Sequence, residues 1–199
     1  MDWTKMERLL KERKPVPMTD KRHSAVLVLL AGDTLVLEVR SQTLRRQPGE
    51  VCCPGGRMEQ GESAIQCALR ETREELGLPA EEIQVIGELD YLVQRSGQII
   101  YPVLGRCGEN LLEQLQPSPA EVDRVLLMPL SRLRSQKAKE YTYRQENCGL
   151  QELPQQIARS LRSYPTQRRG VYWEYDGACI WGMTGMILSQ LLKLLEETE

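Results

Sequence analysis

A layered α/β sandwich is the fold class this sequence predicts, and two patterns predict it. Apolar runs of strand length recur from Ala25 to Leu127, and only a few dispersed helical segments lie among them. A βαβαβ array needs a helix after nearly every strand, so a sheet layered with a few helices fits better. The 199 residues and 22.8 kDa suit one domain with small attachments. Hydrophobic residues make up 41% of the chain, enough for a core, and the absence of Phe makes that core mostly aliphatic.

Met1 to Arg13 sets Trp3, Met6, Leu9 and Leu10 at helical spacing with a charged back, and Pro15 and Pro17 end that element. Residues 1–20 therefore read as a helix and linker ahead of a domain over 21–199. The helix can pack on its own domain or on a second subunit, so a homodimer is one expectation. Ala25 to Leu30 and Thr34 to Val39 flank the turn signal Ala31-Gly32-Asp33 and predict a β-hairpin. Ser41 to Gly49 is a polar, basic loop, Glu50 to Cys53 a short strand, and Pro54-Gly55-Gly56 is expected to break regular structure. Ser63 to Leu76 is the clearest helix, with Ser63 as its cap and Gly77 as its stop. Strands are expected at Ile83 to Val93, Ile99 to Arg106 and Val122 to Leu127, and a short helix at Ser131 to Arg134. The polar, Gln-rich insertion around 137–169 has room for a strand at Tyr141 to Tyr143 and a helix at Leu153 to Arg162. Val171 to Tyr175 reads as a strand and Met183 to Glu197 as a closing amphipathic helix.

Lys and Arg total 26 against 28 Asp and Glu, a net charge of −2. A global basic field is absent, so neither nucleic acid nor an anionic membrane is an expected partner. No apolar run approaches the ~20 residues that cross a bilayer, and the charged opening segment lacks a signal-peptide pattern. A cytoplasmic protein is expected. The six cysteines form no C-x-x-C pair and read as reduced thiols rather than a metal or disulfide framework. The only histidine, His23, stands among basic residues at a strand entrance, which argues against a Ser-His-Asp or Cys-His site.

Chemistry concentrates in Gly56 to Leu78. At ~100° per residue, Glu71, Glu74 and Glu75 fall within an arc of roughly 100° on one helix face. Ile65, Ala68, Leu69, Thr72 and Leu76 fill the neighbouring arc and are expected to bury the helix against the sheet. Three carboxylates on adjoining turns repel one another unless positive charge lies between them. A hard divalent cation with oxygen ligands, Mg²⁺ or Mn²⁺, neutralises them and completes its shell with water and phosphate oxygens. The other reading is a solvated acidic face offset by Arg70 and Arg73. Gly55-Gly56, which lets backbone come close to a metal or anion, favours phosphoryl chemistry.

The full pattern, G-x5-E-x7-R-E-x-x-E-E-x-G-L, fixes eight positions and resembles the Nudix box, with Thr72 where the box has a bulky aliphatic residue. The resemblance implies a Nudix α/β/α sandwich with a mixed sheet and a catalytic loop–helix–loop. It implies that Glu74 and Glu75 are the principal metal ligands, that Glu71 binds metal or acts as base, and that Gly56 offers its carbonyl to metal. Arg70 then holds Glu71 by a charged hydrogen bond, and Glu62 supports the loop–helix junction. Directly upstream, Arg40-Ser41, Arg45, Gly49 and Cys53-Pro54-Gly55-Gly56 are similar, spacing by spacing, to the signature of the coenzyme A pyrophosphatase branch. Cys53 stands where that branch has Phe, and Glu38 where it tends to have Thr. Ile180-Trp181-Gly182-Met183-Thr184 is similar to the branch's segment that opens the last helix.

The resemblance implies a metal-dependent hydrolase cleaving coenzyme A or an acyl derivative to 3′,5′-ADP and 4′-phosphopantetheine, with water as nucleophile. A broader hydrolase of ADP-ribose or dinucleotides, and a sensor that binds without cleaving, are the alternatives. Arg40, Arg45 and Arg46 stand just before the diphosphate loop, where guanidinium forks have a phosphate target. Arg45 or Arg46 is the candidate for the 3′-phosphate, with Arg168-Arg169 a second choice. Glu121, in a proline-bounded loop before a strand, competes with Glu71 for the role of base. Tyr141/Tyr143 and Trp173/Tyr175 read either as sheet packing or as a stacking surface for adenine or a wall along the pantetheine arm.

Overall fold

The structure is a computed structural model and describes residues 5, 11, 23–94, 96–145, 147–163 and 167–197. The helix expected over Met1 to Arg13 and its linker lie outside the described residues, apart from Lys5 and Lys11, which are helical. The hairpin forms as β1 (His23–Ala31) and β2 (Thr34–Arg40), paired antiparallel through Leu29↔Val36 and Leu30↔Leu35. β3 (Val51–Cys52) extends β2, and β4 (Gly55–Arg57) pairs antiparallel with the start of β1. The Pro54-Gly55-Gly56 expectation is thus corrected. The chain breaks at Pro54 and resumes pairing at Gly55, because glycine, without a Cβ, can lie tight against β1. At Gly55, where φ is +151°, an added Cβ would collide with the Ala25 carbonyl.

The site helix α1 (Ala64–Leu76) starts at a full capping box. Ser63 Oγ accepts from the Gln66 N–H at 3.2 Å, and Gln66 Oε1 accepts from the Ser63 N–H at 2.9 Å. Gly77, at φ +73°, ends it with a bond from its N–H to the Arg73 carbonyl. β5 (Gln84–Glu88) and β6 (Leu92–Val93) replace the single run expected at Ile83 to Val93. Both pair with β7 (Ile99–Cys107), but the register shifts between Val85 and Gly87. That bulge lies inside β5, whose ladder resumes at Gly87↔Leu104, and the break between β5 and β6 falls later, at residues 89–91. β8 (Val122–Pro129) pairs with β2 and leads into α2 (Leu130–Ser135). The polar stretch resolves into β9 (Lys139–Arg144), α3 (Gln155–Ser163) and β10 (Gln167–Tyr175). β9 and β10 form a three-stranded sheet with β11 (Ala178–Ile180), and α4 (Gly182–Glu197) closes the chain.

β1 runs antiparallel to β2 and β4 but parallel to β7, so the eight-stranded sheet is mixed. Alternation along β1 explains the layering. Ala25, Leu27, Leu29 and Ala31 join one core with Ala64, Cys67, Ala68 and Leu76 of α1. Val28, with Val26 and Leu30 packed beside it, joins a second core with Trp173 and Ile187, Leu188 and Leu191 of α4. Helices therefore cover both faces of the sheet, which is why β1 and β2 are apolar along almost their whole length. At ~25 cal/mol per Å² of apolar surface, each buried Leu or Val side chain contributes roughly 1.5–3 kcal/mol.

Candidate active site

α1 carries its carboxylates to three environments rather than to one open face. Thr72 and Leu76 are fully buried, and Thr72 caps its own turn with a 2.7 Å bond to the Ala68 carbonyl. That packing rotates Glu75 inward, where it is 2% exposed, while Glu74 is 59% exposed. Glu75 Oε2 accepts from the Gly55 N–H at 2.7 Å, tying α1 to β4. Glu71 lies against Gly56, whose added Cβ would strike the Glu71 carboxyl group. Arg70 clamps the outer edge. Its Nε and Nη2 donate to the two oxygens of Glu62 at 2.9 and 3.0 Å, and Nη1 donates to Glu71 Oε1 at 2.8 Å. Nη2 also reaches the Arg57 carbonyl at 3.1 Å, and Glu74 stands 3.5 Å from Nη1. The fork geometry holds loop and helix in one arrangement.

A fourth carboxylate, absent from the candidate set, joins them. Glu38 on β2 is fully buried; it accepts from Cys52 Sγ at 3.2 Å through Oε1, and Oε2 has no hydrogen-bond partner among the described residues. A glutamate in the otherwise apolar run Leu35 to Val39 was the available signal. Burial pushes the Glu38 carboxyl up to about 7, against the lowering effect of the Cys52 hydrogen bond. Burial and then the Glu38 charge raise Glu75, and burial raises Glu71 against the pull of Arg70. Glu121 is exposed, and its charge is felt at Glu38, Glu71 and Glu75. Its backbone is pinned to the basic loop by the Ser41 N–H bond to the Glu121 carbonyl at 2.8 Å. The Arg70 fork holds the Glu62 carboxyl down at about 2.

Gly55 and Gly56 also line a cavity of about 580 Å³. Arg40 and Arg46 line it, together with Cys52 and Cys53, Gln94, Gln98 and the Trp181–Thr184 segment. Thr184 fixes that wall by donating to the Val51 carbonyl at 3.0 Å. Arg45 is exposed and is not among the cavity-lining residues. Arg168 and Arg169 sit on β10, opposite Tyr143 and Thr142 of β9, away from the lining. Tyr141 stacks with Tyr143 at 6.0 Å and meets Trp181 edge-on at 6.4 Å, while Trp173 is buried and donates to the Gln136 carbonyl. His23 pairs with the Tyr101 hydroxyl at 3.2 Å, a structural contact. The six cysteines are free; burial raises the Cys53 thiol to about 12 and pushes Cys52 up as well, so neither is an activated nucleophile.

Among the described residues no three His, Cys, Asp or Glu side chains stand together in an arrangement that could hold a metal ion. Arg70 engages Glu71 and Glu74, and Glu75 turns to Gly55. The donor set nevertheless suits a hard divalent cation: it is all oxygen, the missing Cβ of Gly56 lets the Glu71 carboxyl group lie against the backbone, and one buried carboxylate oxygen is unsatisfied. No helix of the described residues is long and apolar enough to cross a membrane.

The NUDIX domain family matches residues 21–146. The uncharacterized Nudix hydrolase NudL of Photorhabdus laumondii is 32% identical over 181 residues, covering 89% of this chain and 87% of its own. The mitochondrial coenzyme A diphosphatase NUDT8 of Mus musculus is 34% identical over 178 residues, 86% of this chain and 77% of its own. Nudix hydrolase 3 of Caenorhabditis elegans is 33% identical over 179 residues, 85% and 70% of the two chains. A crystal structure of a MutT/nudix family protein from Enterococcus faecalis matches with a TM-score of 0.52 over 98% of this chain and 70% of its own, at 14% identity, a likeness of fold alone. The glycine loop, the Arg70 clamp and the inward Glu75 lie within a family match that spans more than half the chain, and on that ground the chain belongs to the NUDIX family of hydrolases, enzymes that cleave phosphorus anhydrides.

Proposed function

We propose that this enzyme is a divalent-metal-dependent pyrophosphohydrolase that cleaves coenzyme A or an acyl-coenzyme A to 3′,5′-ADP and 4′-phosphopantetheine. One observation carries the reading. Arg40 and Arg46 line the same cavity as Gly55 and Gly56, and Glu75 and Glu71 contact those two glycines in turn. A diphosphate lying against those glycines meets both guanidinium groups and carboxylates. The likeness to NUDT8 over most of both chains supports coenzyme A as the substrate.

Glu71, Glu74 and Glu75, with the Gly56 carbonyl, would hold Mg²⁺ or Mn²⁺, which when bound supplies charge neutralisation of the diphosphate and acidifies water. The chain's own groups do the rest. Arg40 orients the diphosphate by directed N–H donors, and Arg46 meets the 3′-phosphate. Arg70 fixes the Glu71 carboxyl, and Glu71 or Glu121 removes the proton of the attacking water. Trp181–Thr184 and Gln94 wall one side of the cavity in which the substrate would lie. The six free thiols support a reducing compartment such as the cytoplasm.

A broader diphosphate hydrolase is the second reading, favoured by Cys53, whose small buried side chain lines the cavity where an aromatic residue would narrow it. Incubation with Mg²⁺ or Mn²⁺ and a panel of coenzyme A, acetyl-coenzyme A, ADP-ribose and a diadenosine polyphosphate, with product identification, decides. Release of 3′,5′-ADP at the highest kcat/KM supports the first reading. Faster turnover of ADP-ribose or the dinucleotide replaces it with the second, and binding without turnover leaves a sensor.

A further inference from the structure

Glu38 and Arg40 lie two residues apart at the end of β2, where the register with β8 shifts between Val39 and Arg40, and the Arg40 charge is felt at Glu38. Each buries a polar atom without a hydrogen-bond partner among the described residues, Glu38 Oε2 and Arg40 Nε. They form no salt bridge with each other. An orphan acceptor and an orphan donor two residues apart, the donor's side chain lining the cavity, suit a ligand that presents positive and negative charge together. Glu38 is tied on its other oxygen to Cys52, the residue opposite it on β3, which fixes where the carboxyl group points. Its charge is felt by Glu75, its neighbour from α1, and Arg40 lines the cavity. The Nudix pattern does not ask for an acid here.

We propose that Glu38 is a cation-facing carboxylate of the diphosphate site: its free oxygen and the Arg40 Nε bracket a divalent cation and the phosphate oxygen that the cation carries. The inference rests on the metal-dependent reading above and adds a ligand-side residue supplied by the sheet rather than by the helix. A site with this extra carboxylate holds its cation more tightly than one with the Thr to which the related signature tends.

Mn²⁺ titration, followed by loss of the free-ion electron paramagnetic resonance signal, tests this without turnover. The proteins are the wild type, Glu38→Gln, Glu38→Thr and, as a control for overall charge, Glu81→Gln on the exposed surface. Wild type and Glu81→Gln are expected to bind alike, and both Glu38 variants to bind about tenfold or more weakly. Both Glu38 variants are required to melt cooperatively without metal, so that weaker binding is read from folded protein. Anomalous density from Mn²⁺-soaked wild-type crystals gives a readout that needs no variant: the ion or one of its waters touches the Glu38 carboxylate. Equal Mn²⁺ affinity in wild type and a folded Glu38→Gln, or a bound ion with no path to Glu38, overturns the proposal. A wild type that takes up no Mn²⁺ overturns the metal-dependent reading beneath it instead.

Discussion

Glu75 shows how one side chain serves two masters. Its 2.7 Å bond to the Gly55 N–H is a structural tie, and its burial beside Glu38 makes it the most proton-hungry carboxylate of the site. Glu75→Gln keeps an oxygen to accept from Gly55 and removes the charge, so the variant is expected to fold and to lose about 10²–10³-fold or more in metal-dependent kcat. Near-normal hydrolysis by a folded Glu75→Gln would show that the charge does no catalytic work. Arg46 allows a test of specificity, because it lines the cavity while Arg45 does not. Arg46→Ala is expected to narrow the preference for coenzyme A over its dephospho form by about tenfold, the worth of one charge-assisted contact, and Arg45→Ala to leave it within about twofold. An unchanged ratio in Arg46→Ala removes that residue from the 3′-phosphate. The helix-borne acids could be read from their spacing, since period and repulsion are properties of the sequence. Glu38 could not, because its meaning comes from β3 and α1 folding over it.

α1 owes its position to its ends as much as to its buried face. The capping box at Ser63 and the left-handed Gly77 frame a helix whose inner residues pack on β1. Ser63→Ala removes the bond to Gln66 and is expected to cost about 1 kcal/mol of stability, read as a lower melting temperature. The first turn, Ala64 to Cys67, holds no candidate catalytic residue, so kcat/KM is expected to stay within about twofold of wild type. A large loss of activity would mean that fraying reaches Glu71. Caps, hairpin turn and closing helix follow from local chemistry and were legible. β4 was not, because glycine usually marks irregular backbone and here marks close approach to β1. The break between β5 and β6 was equally hidden, since which residues pair depends on β7, further along the chain.

At the scale of the whole molecule, two cores on opposite faces of one sheet enclose acids that would each be better solvated in water. Burial raises the folded-state pKa of Glu38 from 4.5 to about 7 and raises Glu75 as well. The sign follows from proton counts. Above pH 4.5 the unfolded chain releases these protons while the folded chain keeps them, so the folded state binds more. Their contribution to stability is full below 4.5 and is lost as pH rises through about 7. Metal-stripped enzyme is therefore expected to lose up to about 1.4 kcal/mol per pH unit for each proton released across that window. In a chain of this size that is roughly 2–4 °C of melting temperature per kcal/mol. On the metal-dependent reading proposed above, a divalent cation would bind the ionised carboxylates and reverse their preference, so saturating Mn²⁺ should flatten the slope and raise the melting temperature most at the alkaline end. Melts in chelator and in Mn²⁺, taken across the same pH series, measure both effects. A melting temperature that holds level in chelator would mean the acids ionise without penalty, and that the fold does not store the charge repulsion which a cation would relieve.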